Sequence, residues 1–334
     1  TINPISRLWN RWFSHPKRVT NQIKKLIEAK ACDLVHITDQ EQAHLVPKDC
    51  GIPVVITIHD LFHMYPKQLQ LGEELVDIGD LSPGFVRRRD LDKLKDGVTR
   101  ANYLICNSQH TLSATRANFP NVEAICIPLG IDCAKYHPDN QQPVDISLPE
   151  VCNLLVVGSN DPRKRMKFLF DVIEKLPDEV RQGIHLHHVG NSAPNSGIPS
   201  ITELAKSRGI KNLTIHGSSV SDDYLMTLRI KCDALLFPSV SEGFGYPPIE
   251  SMAAGMQVIC ADLPSHNELM PENSCIPAND MAEWIKSITS LYEKYLSDDV
   301  EKTTSQTDII NHAQQYDNSV FCQRLSDAYN SFVA

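Results

Sequence analysis

Phe237-Pro-Ser-Val-Ser-Glu242-Gly-Phe-Gly-Tyr-Pro-Pro-Ile-Glu250-Ser-Met-Ala-Ala-Gly255 starts at the end of a short apolar run and crosses a polar loop into a segment of helical composition. Pro247 and Pro248 pre-set φ for a first helical turn. Gly243 and Gly245 let backbone N–H groups come close to a ligand. The helix start behind them offers free N–H groups and a positive dipole end, a combination suited to phosphate. Glu242 leaves from the loop and Glu250 from the helix, at most about 12 Å apart if the segment is helical. They are placed to hold hydroxyls at the two ends of an extended polyol ligand with phosphate between them. Two carboxylates would repel that phosphate unless bases compensate. Gly158-Ser-Asn-Asp-Pro-Arg163-Lys164-Arg165 supplies them. They would neutralise a diphosphate as it leaves.

Outward from this stretch, apolar runs alternate with helical patterns. Strands are expected at 33–37, 54–59, 103–106, 124–127, 153–158, 185–190, 213–216, 234–237 and 257–261. Several are apolar almost throughout, as parallel strands buried on both faces are. Helices are expected at 19–29, 167–176, 222–231, 281–295 and 319–332. The alternation predicts an α/β fold with doubly wound sheets. Pro138, Pro143 and Pro149 in polar surroundings read as a linker. The expected organisation is a first domain over 1–135, a linker over 136–150, a second domain over 151–315 and a C-terminal helix, 316–334, packing back toward the first. Ligands in such folds bind in a cleft at the carboxyl ends of the strands.

Composition narrows the classes. Apolar residues are 42% and charged residues 22% of 334, an ordinary globular balance. A net charge of −9 argues against wholesale nucleic-acid binding. No apolar stretch has the length of a membrane-spanning helix. The ten cysteines form no C-x-x-C pair and mostly sit in apolar runs, as buried reduced thiols of a cytoplasmic protein do. Charge is uneven, however. Residues 1–30 hold seven bases and one acid, +6, which leaves −15 for the rest of the chain. Trp9, Trp12 and Phe13 share that segment. Basic and aromatic residues together suit peripheral contact with an anionic membrane, here its inner face; a solvated helix with its aromatics packed on the core is the other reading. The segment has no signal-peptide pattern, and the chain starts with Thr, so a further N-terminal piece is expected.

Glu242 to Glu250 resembles the E-x7-E signature of family-4 glycosyltransferases, E-G-F-G-x-P-x-x-E-x-M-A-x-G. Around it, Leu-Thr-Ile-His-Gly217, Asp222-Asp223 and Cys232-Asp-Ala-Leu-Leu-Phe-Pro-Ser239 are similar to that family's preceding strand, helix and strand. Val156-Val-Gly158 through Lys164 is similar to its phosphate-binding turn, and Ile127-Pro-Leu-Gly-Ile-Asp132 to its interdomain I-P-N-G-V-D. Val55-Ile-Thr-Ile-His59-Asp60 and Asn107-Ser108-Gln-His-Thr111 are similar to first-domain steps. The resemblance implies the GT-B fold, two Rossmann-like domains with parallel sheets facing across a cleft. It implies a nucleotide-sugar donor such as a UDP- or GDP-hexose, no cofactor, no metal, and retention of anomeric configuration. Glu250 would hold the ribose hydroxyls. Glu242, Gly243 and the N–H groups of Phe244, Gly245 and Tyr246 would hold the sugar and its phosphate. Lys164, with Arg163 or Arg165, would stabilise the leaving diphosphate. His59 would line the acceptor side near the anomeric centre. Ser159 stands where the family often has Arg, and Gln257 where it usually has Pro. The family's first strand and glycine-rich loop normally lie upstream of the 33–37 strand, and no glycine precedes it here.

Other signals are weaker. His59-Asp-Leu-Phe-His63 has zincin-like spacing, but Asp replaces Glu and a strand precedes it. His185, His187 and His188 read as strand packing. Asp90-Leu-Asp92 reads as a solvated face, and Arg87-Arg88-Arg89 before it as a candidate for lipid head groups or an anionic acceptor. His36, Asp39 and His44 read either as acceptor-side residues or as a polar loop. No G-x-S-x-G, P-loop or G-x-G-x-x-G occurs, against a hydrolase elbow, an ATPase and a dehydrogenase. The expected function is hexosyl transfer from a nucleotide sugar to a hydroxyl of a glycan or lipid-linked acceptor. The alternatives are a non-transferring sugar-nucleotide-binding protein and a sugar-nucleotide epimerase. Binding without turnover marks the first, and donor conversion without acceptor marks the second.

Overall fold

The computed structural model describes residues 4–140, 144–195, 197–297 and 301–334, and in it the apolar runs become parallel strands, to which one two-stranded hairpin is added. They are β1 (Val35–Ile37), β2 (Val54–Ile58), the hairpin β3 (Lys67–Leu71) and β4 (Glu74–Ile78), β5 (Tyr103–Cys106), β6 (Glu123–Cys126), β7 (Cys152–Val157), β8 (Ile184–Val189), β9 (Leu213–Gly217), β10 (Ala234–Phe237), β11 (Gln257–Asp262) and β12 (Ile276–Pro277). The chain divides into two units: Thr1–Lys67 with Asp77–Leu129 and Ser319–Ala334, and Gln68–Val76 with Gly130–Asn318.

In the first unit the strands lie in the order β1-β2-β5-β6, all parallel. Chain order and spatial order agree, so the described strands contain no reversal. β2 is Val-Val-Ile-Thr-Ile, buried at all five positions. Alternation splits it between two cores. Val54, Ile56 and Ile58 pack with Leu91, Leu94 and Val98 of the helix Phe85–Thr99. Val55 packs with Ile105, Ile127, and Ala328 and Phe332 of the C-terminal helix Asn318–Val333. Phe332 also stacks on Tyr103 at 3.9 Å between ring centroids.

Gly97 lets the helix Phe85–Thr99 meet the turn before β2. A Cβ there would lie 2.0 Å from the Ala43 carbonyl oxygen. In an exposed helix Gly→Ala stabilises by about 1 kcal/mol; here the clash with backbone should reverse the sign, costing about 1–3 kcal/mol. Urea unfolding of Gly97→Ala checks this, and a raised midpoint would contradict it.

The second unit holds a six-stranded parallel sheet in the order β12-β11-β10-β7-β8-β9. Counted along the chain and read from β9, this is the Rossmann order 3-2-1-4-5-6. The order reverses between β7 and β10, and the loops after their carboxyl ends are the 158–165 turn and the 238–245 loop. β7 and β10 are almost fully buried, which makes the sheet a fixed base for both loops.

Histidines tie β7, β8 and β9 together. His187 bonds Asn153 Oδ1 at 2.9 Å and His216 at 3.1 Å, and His216 bonds the Tyr224 hydroxyl at 3.1 Å. His188 donates to the Gly158 carbonyl at 2.9 Å, directly beneath the 158–165 turn. Burial, with the charge of neighbouring histidines, holds His187 and His188 down at about 4. A folded-state value below the unfolded one near 6.5 means that these neutral rings stabilise the fold at pH 7. That stability drains away as pH falls from about 6.5 toward 4, at up to about 1.4 kcal/mol per pH unit for each ring. Urea unfolding between pH 7 and 5 should show the decline, and His187→Asn with His188→Asn should flatten it. A wild-type profile already flat over that range would contradict the account.

Several expectations need correction. The hairpin β3–β4, which turns on Gly72 (φ 63°), was not expected: its alternation is short, Leu69 and Leu71 and then Val76 and Ile78, and exposed Leu75 beside Val76 blurs it. The division falls after Leu129 rather than after 135, because the helix Cys133–Tyr136 packs on the helix Tyr246–Ala253 of the second unit. The expected linker 136–150 therefore begins with a helical residue; Pro143 within it lies outside the described residues. The second unit runs to Asn318 rather than 315. Asp90 is not on a solvated face: it is 7% exposed and takes hydrogen bonds from Arg11, the Trp12 indole and Arg87. His36, Asp39 and His44 are each held by partners or by burial within the first unit, and His36 lies in β1 rather than in a loop. His36 bonds Tyr329 and Thr57, Asp39 caps the turn Gln40–Leu45, and His44 is buried.

Candidate active site

β7 runs out at Val157, and Gly158 (φ 154°) starts the turn. Its missing side chain leaves room for Lys164, whose Cδ and Cε would lie 3.3 Å from a Cβ at 158. Asp161 caps the short 3-10 turn Pro162–Lys164 by accepting from the Arg163 N–H at 3.1 Å. Arg165 then takes a left-handed conformation (φ 52°) and opens the helix Met166–Glu174. The neighbouring loop is pinned to this turn, since Val240 N–H donates to the Arg163 carbonyl at 2.8 Å.

Glu242 sits between the two loops. Arg163 Nη1 reaches one carboxylate oxygen at 2.7 Å. Lys164 Nζ reaches the other at 2.5 Å, and the Ser239 hydroxyl donates to that same oxygen at 2.6 Å. The Glu242 side chain is only 11% exposed. Burial alone would raise its pKa, but Lys164 and Arg163 more than reverse that and hold it at about 2. It is an ionised, well-dried carboxylate that fixes two cations. A cavity of about 10 Å³, roughly the space of one water, lies beside them, lined in part by Gly158, Ser159, Lys164 and Ser239.

Gly245 (φ 132°) ends the loop, where a side chain would meet Leu269 Cδ1 at 2.9 Å. The helix Tyr246–Ala253 follows with prolines in its first turn. Pro247 and Pro248 carry no N–H, so the open donors at this helix start are those of Gly245 and Tyr246 together with Phe244 just before. Phe244 is buried and Tyr246 is exposed.

Glu250, one turn on, is also charge-compensated. The Tyr136 hydroxyl donates to Oε1 at 2.8 Å, and the buried Arg229 holds Oε2. Burial, then the Glu250 charge, pushes the Tyr136 phenol up, so it stays a donor. The two glutamates thus have separate cations, rather than sharing those of the 158–165 turn.

Arg165 departs from expectation. Its side chain is 1% exposed, it pairs with Glu74 at 2.7 Å, donates to the Ala278 carbonyl, and lies over the Phe168 ring at 3.9 Å. Committed to these partners, it fastens the hairpin, while Arg163 and Lys164 both pair with Glu242 at the loop. Ser159 is exposed there. His59 stands at the carboxyl end of β2 in the first unit, its Nε2 bonding the Thr38 carbonyl at 2.9 Å. Among the described residues no three His, Cys, Asp or Glu side chains are grouped to hold a metal ion. Tyr136, Arg229 and Ser239 join the site without having been singled out in the sequence. Ser239 lay inside the decisive stretch, and Arg229 lies within the expected helix Asp222–Lys231.

Comparison with known proteins fits this geometry. Residues 150–315 match the family model for glycosyl transferases group 1, and residues 2–135 match that for glycosyltransferase family 4. The chain is a family-4 glycosyltransferase. This glycosyltransferase is 26% identical over 286 residues to the serotype-specific mannosyltransferase WbdA of Escherichia coli, covering 80% of the chain and 33% of WbdA. It therefore spans about a third of the length of that relative. It is 31% identical over 93 residues to the O-antigen chain mannosyltransferase RfbU of Salmonella typhimurium, covering 28% of the chain and 26% of RfbU. Among solved structures it is similar to sucrose-phosphate synthase of Thermosynechococcus elongatus, with TM-score 0.73, 20% identity, and 99% and 80% of the two chains covered. It is also similar to Anabaena HepE in complex with UDP, with TM-score 0.65, 18% identity, and 94% and 82% covered. The fold of this glycosyltransferase is accordingly GT-B.

Proposed function

We propose that this glycosyltransferase moves a hexose, mannose foremost, from a nucleoside-diphosphate sugar to a hydroxyl of a glycan or lipid-linked acceptor, with retention and without a metal. The cluster of Glu242, Lys164 and Arg163 at the reversal of strand order supports this reading most. Catalysis here is mainly positioning and charge stabilisation. Lys164 and Arg163 receive the negative charge that builds on the diphosphate as the glycosidic bond breaks. Glu242 keeps both cations in place before the donor arrives and then meets the transferred sugar. The N–H groups of Phe244, Gly245 and Tyr246, which have no backbone partner among the described residues, cradle the phosphate. Glu250, fixed by Tyr136 and Arg229, holds the ribose hydroxyls. His59 is assigned to the acceptor side by resemblance, as is front-face attack assisted by the departing phosphate. Mannose rests on the names of WbdA and RfbU. The nucleotide rests on HepE, whose complex holds UDP. The cysteines of the described structure are free thiols, which suits a cytoplasmic enzyme.

A thermal-shift screen of UDP- and GDP-hexoses tests the donor, since a ligand that binds only the folded state raises its apparent stability. The expected result is a clear shift with one mannose donor, followed by label transfer to a hydroxyl acceptor with the anomeric configuration kept. Binding with no transfer to any of a panel of glycan primers would favour a regulatory protein. Donor conversion with no acceptor present would favour an epimerase.

A further inference from the structure

The helical segment that precedes β1 meets the helix Phe85–Thr99 through one side only. Arg11 and the Trp12 indole both bond the Asp90 carboxylate, at 2.7 and 3.1 Å. Between Asn10 and Ser14 the helix widens into a π turn, a feature often found at functional positions. Trp12 is thereby aimed inward, while Trp9 and Phe13 are left outside, 63% and 50% exposed. Their rings touch each other at 4.8 Å between centroids. Lys93 Nζ lies 5.2 Å from the Phe13 ring and links this pair to the second helix. One turn before Lys93 stands Arg89, beside Arg88, and one turn before these stand Phe85, 75% exposed, and Val86. Lys17 follows Phe13 by one helical turn and is exposed. Exposed aromatic and aliphatic side chains therefore stand on both helices, each among bases.

The charge on this face is not spent internally. Arg87 is paired with Glu41 and Asp90. Lys17, Arg88 and Arg89, by contrast, have no carboxylate partner among the described residues. Asp92, one turn beyond Arg88, offsets one of these charges. A chain of net charge −9 whose first 30 residues carry +6 presents this face with the opposite sign to the rest. Exposed large apolar groups of this kind mark an interaction site. A soluble acidic partner would use the bases and leave Trp9, Phe13 and Phe85 in water. A second copy of the chain would bring the same bases against each other.

We propose that this face docks on an anionic lipid bilayer, with Trp9, Phe13, Phe85 and Val86 in the headgroup layer and Lys17, Arg88, Arg89 and Lys93 against the lipid charge. The ring and chain carbons displace interfacial water, while each base near such a surface strengthens partitioning about fivefold. The inference needs no sugar donor, so it stands or falls separately from the transfer reaction.

Vesicle co-sedimentation of the whole chain tests it, with phosphatidylcholine vesicles against vesicles containing about two-fifths phosphatidylglycerol. At about 50 mM salt the protein should pellet with the anionic vesicles and stay in solution with the neutral ones. At about 300 mM salt pelleting should fall, as screening requires. Trp9→Ser with Phe13→Ser, and separately Arg88→Glu with Arg89→Glu, should each weaken binding at least tenfold while urea midpoints stay within error of wild type. Lipids brominated on the acyl chain should quench wild-type fluorescence and quench Trp9→Phe much less, since Trp12 is held at Asp90. Wild-type protein left in the supernatant with anionic vesicles would overturn the proposal. So would variants that pellet like wild type, or a solution dimer that Trp9→Ser with Phe13→Ser dissociates.

Discussion

Glu242→Ala should reduce sugar transfer by about a thousandfold or more while leaving affinity for the free nucleoside diphosphate unchanged or tighter. The separation follows from the geometry. Glu242 occupies Arg163 Nη1 at 2.7 Å and Lys164 Nζ at 2.5 Å, so in the unliganded enzyme it competes with an incoming diphosphate for the same cations. Removing it frees them for the ground-state anion. The transition state is different, because charge must be met at one place as it develops, and cations that have lost their fixed partner are no longer held there. Loss of one preorganised charge contact in a dry site costs on the order of 10²–10³ in kcat; Glu242 positions two, and in the proposed function it also meets the sugar. Lys164→Ala should behave oppositely in binding, weakening the diphosphate about tenfold and slowing transfer about a hundredfold. Burial raises the Glu242 carboxyl, but Lys164 and Arg163 bring it down to about 2. It therefore stays ionised throughout the working range, and any acid limb of activity above about pH 4 belongs to another group. Steady-state kinetics with calorimetric titration of UDP and GDP check these expectations. Equal losses of binding and turnover in Glu242→Ala would contradict them.

Arg229→Met should be the most damaging change behind the site. Arg229 is 3% exposed as a side chain and holds Glu250, itself 18% exposed, from the side opposite Tyr136. Removing one partner of a buried pair strands the other charge, at a cost of about 3 kcal/mol. Glu250 would then protonate, turn toward solvent or draw on Tyr136 alone. The expected result is a fall in the urea midpoint, together with a raised KM for the sugar nucleotide and a smaller effect on kcat. Tyr136→Phe removes only the phenolic donor and should give the same KM pattern with roughly 1 kcal/mol less stability. A variant Arg229→Met with wild-type KM would show that Glu250 does not touch the donor.

These two predictions draw on different depths of the sequence. The 237–255 stretch was legible because its chemistry is local: strand end, glycines, paired prolines and both glutamates fall within one loop and one helix. The 158–165 turn was legible for the same reason, and β7, β8, β10 and β11 could be read because both of their faces are buried, whereas the two-residue β12 was too short to read. Partners far along the chain were not. Tyr136 reaches Glu250 across 114 residues, and Arg165 is drawn to Glu74 across 91. Three adjacent bases look alike in sequence, yet a left-handed residue at 165 aims one of them inward and leaves the other two at the loop. Likewise Trp12 and Arg11 looked like their exposed neighbours until Asp90 claimed them. Local pattern identifies the groups that carry the chemistry; which of them are free to use it depends on tertiary partners.

The most direct test is a crystal structure of the enzyme with an intact, slowly transferring sugar-nucleotide analogue. The diphosphate should lie within hydrogen-bonding distance of Lys164 Nζ, Arg163 and the N–H groups at Gly245 and Tyr246. The sugar should lie against Glu242, and the ribose hydroxyls against Glu250. A nucleotide bound elsewhere, or bound here with Lys164 and Arg163 still closed on Glu242 and no contact to phosphate, would contradict the account.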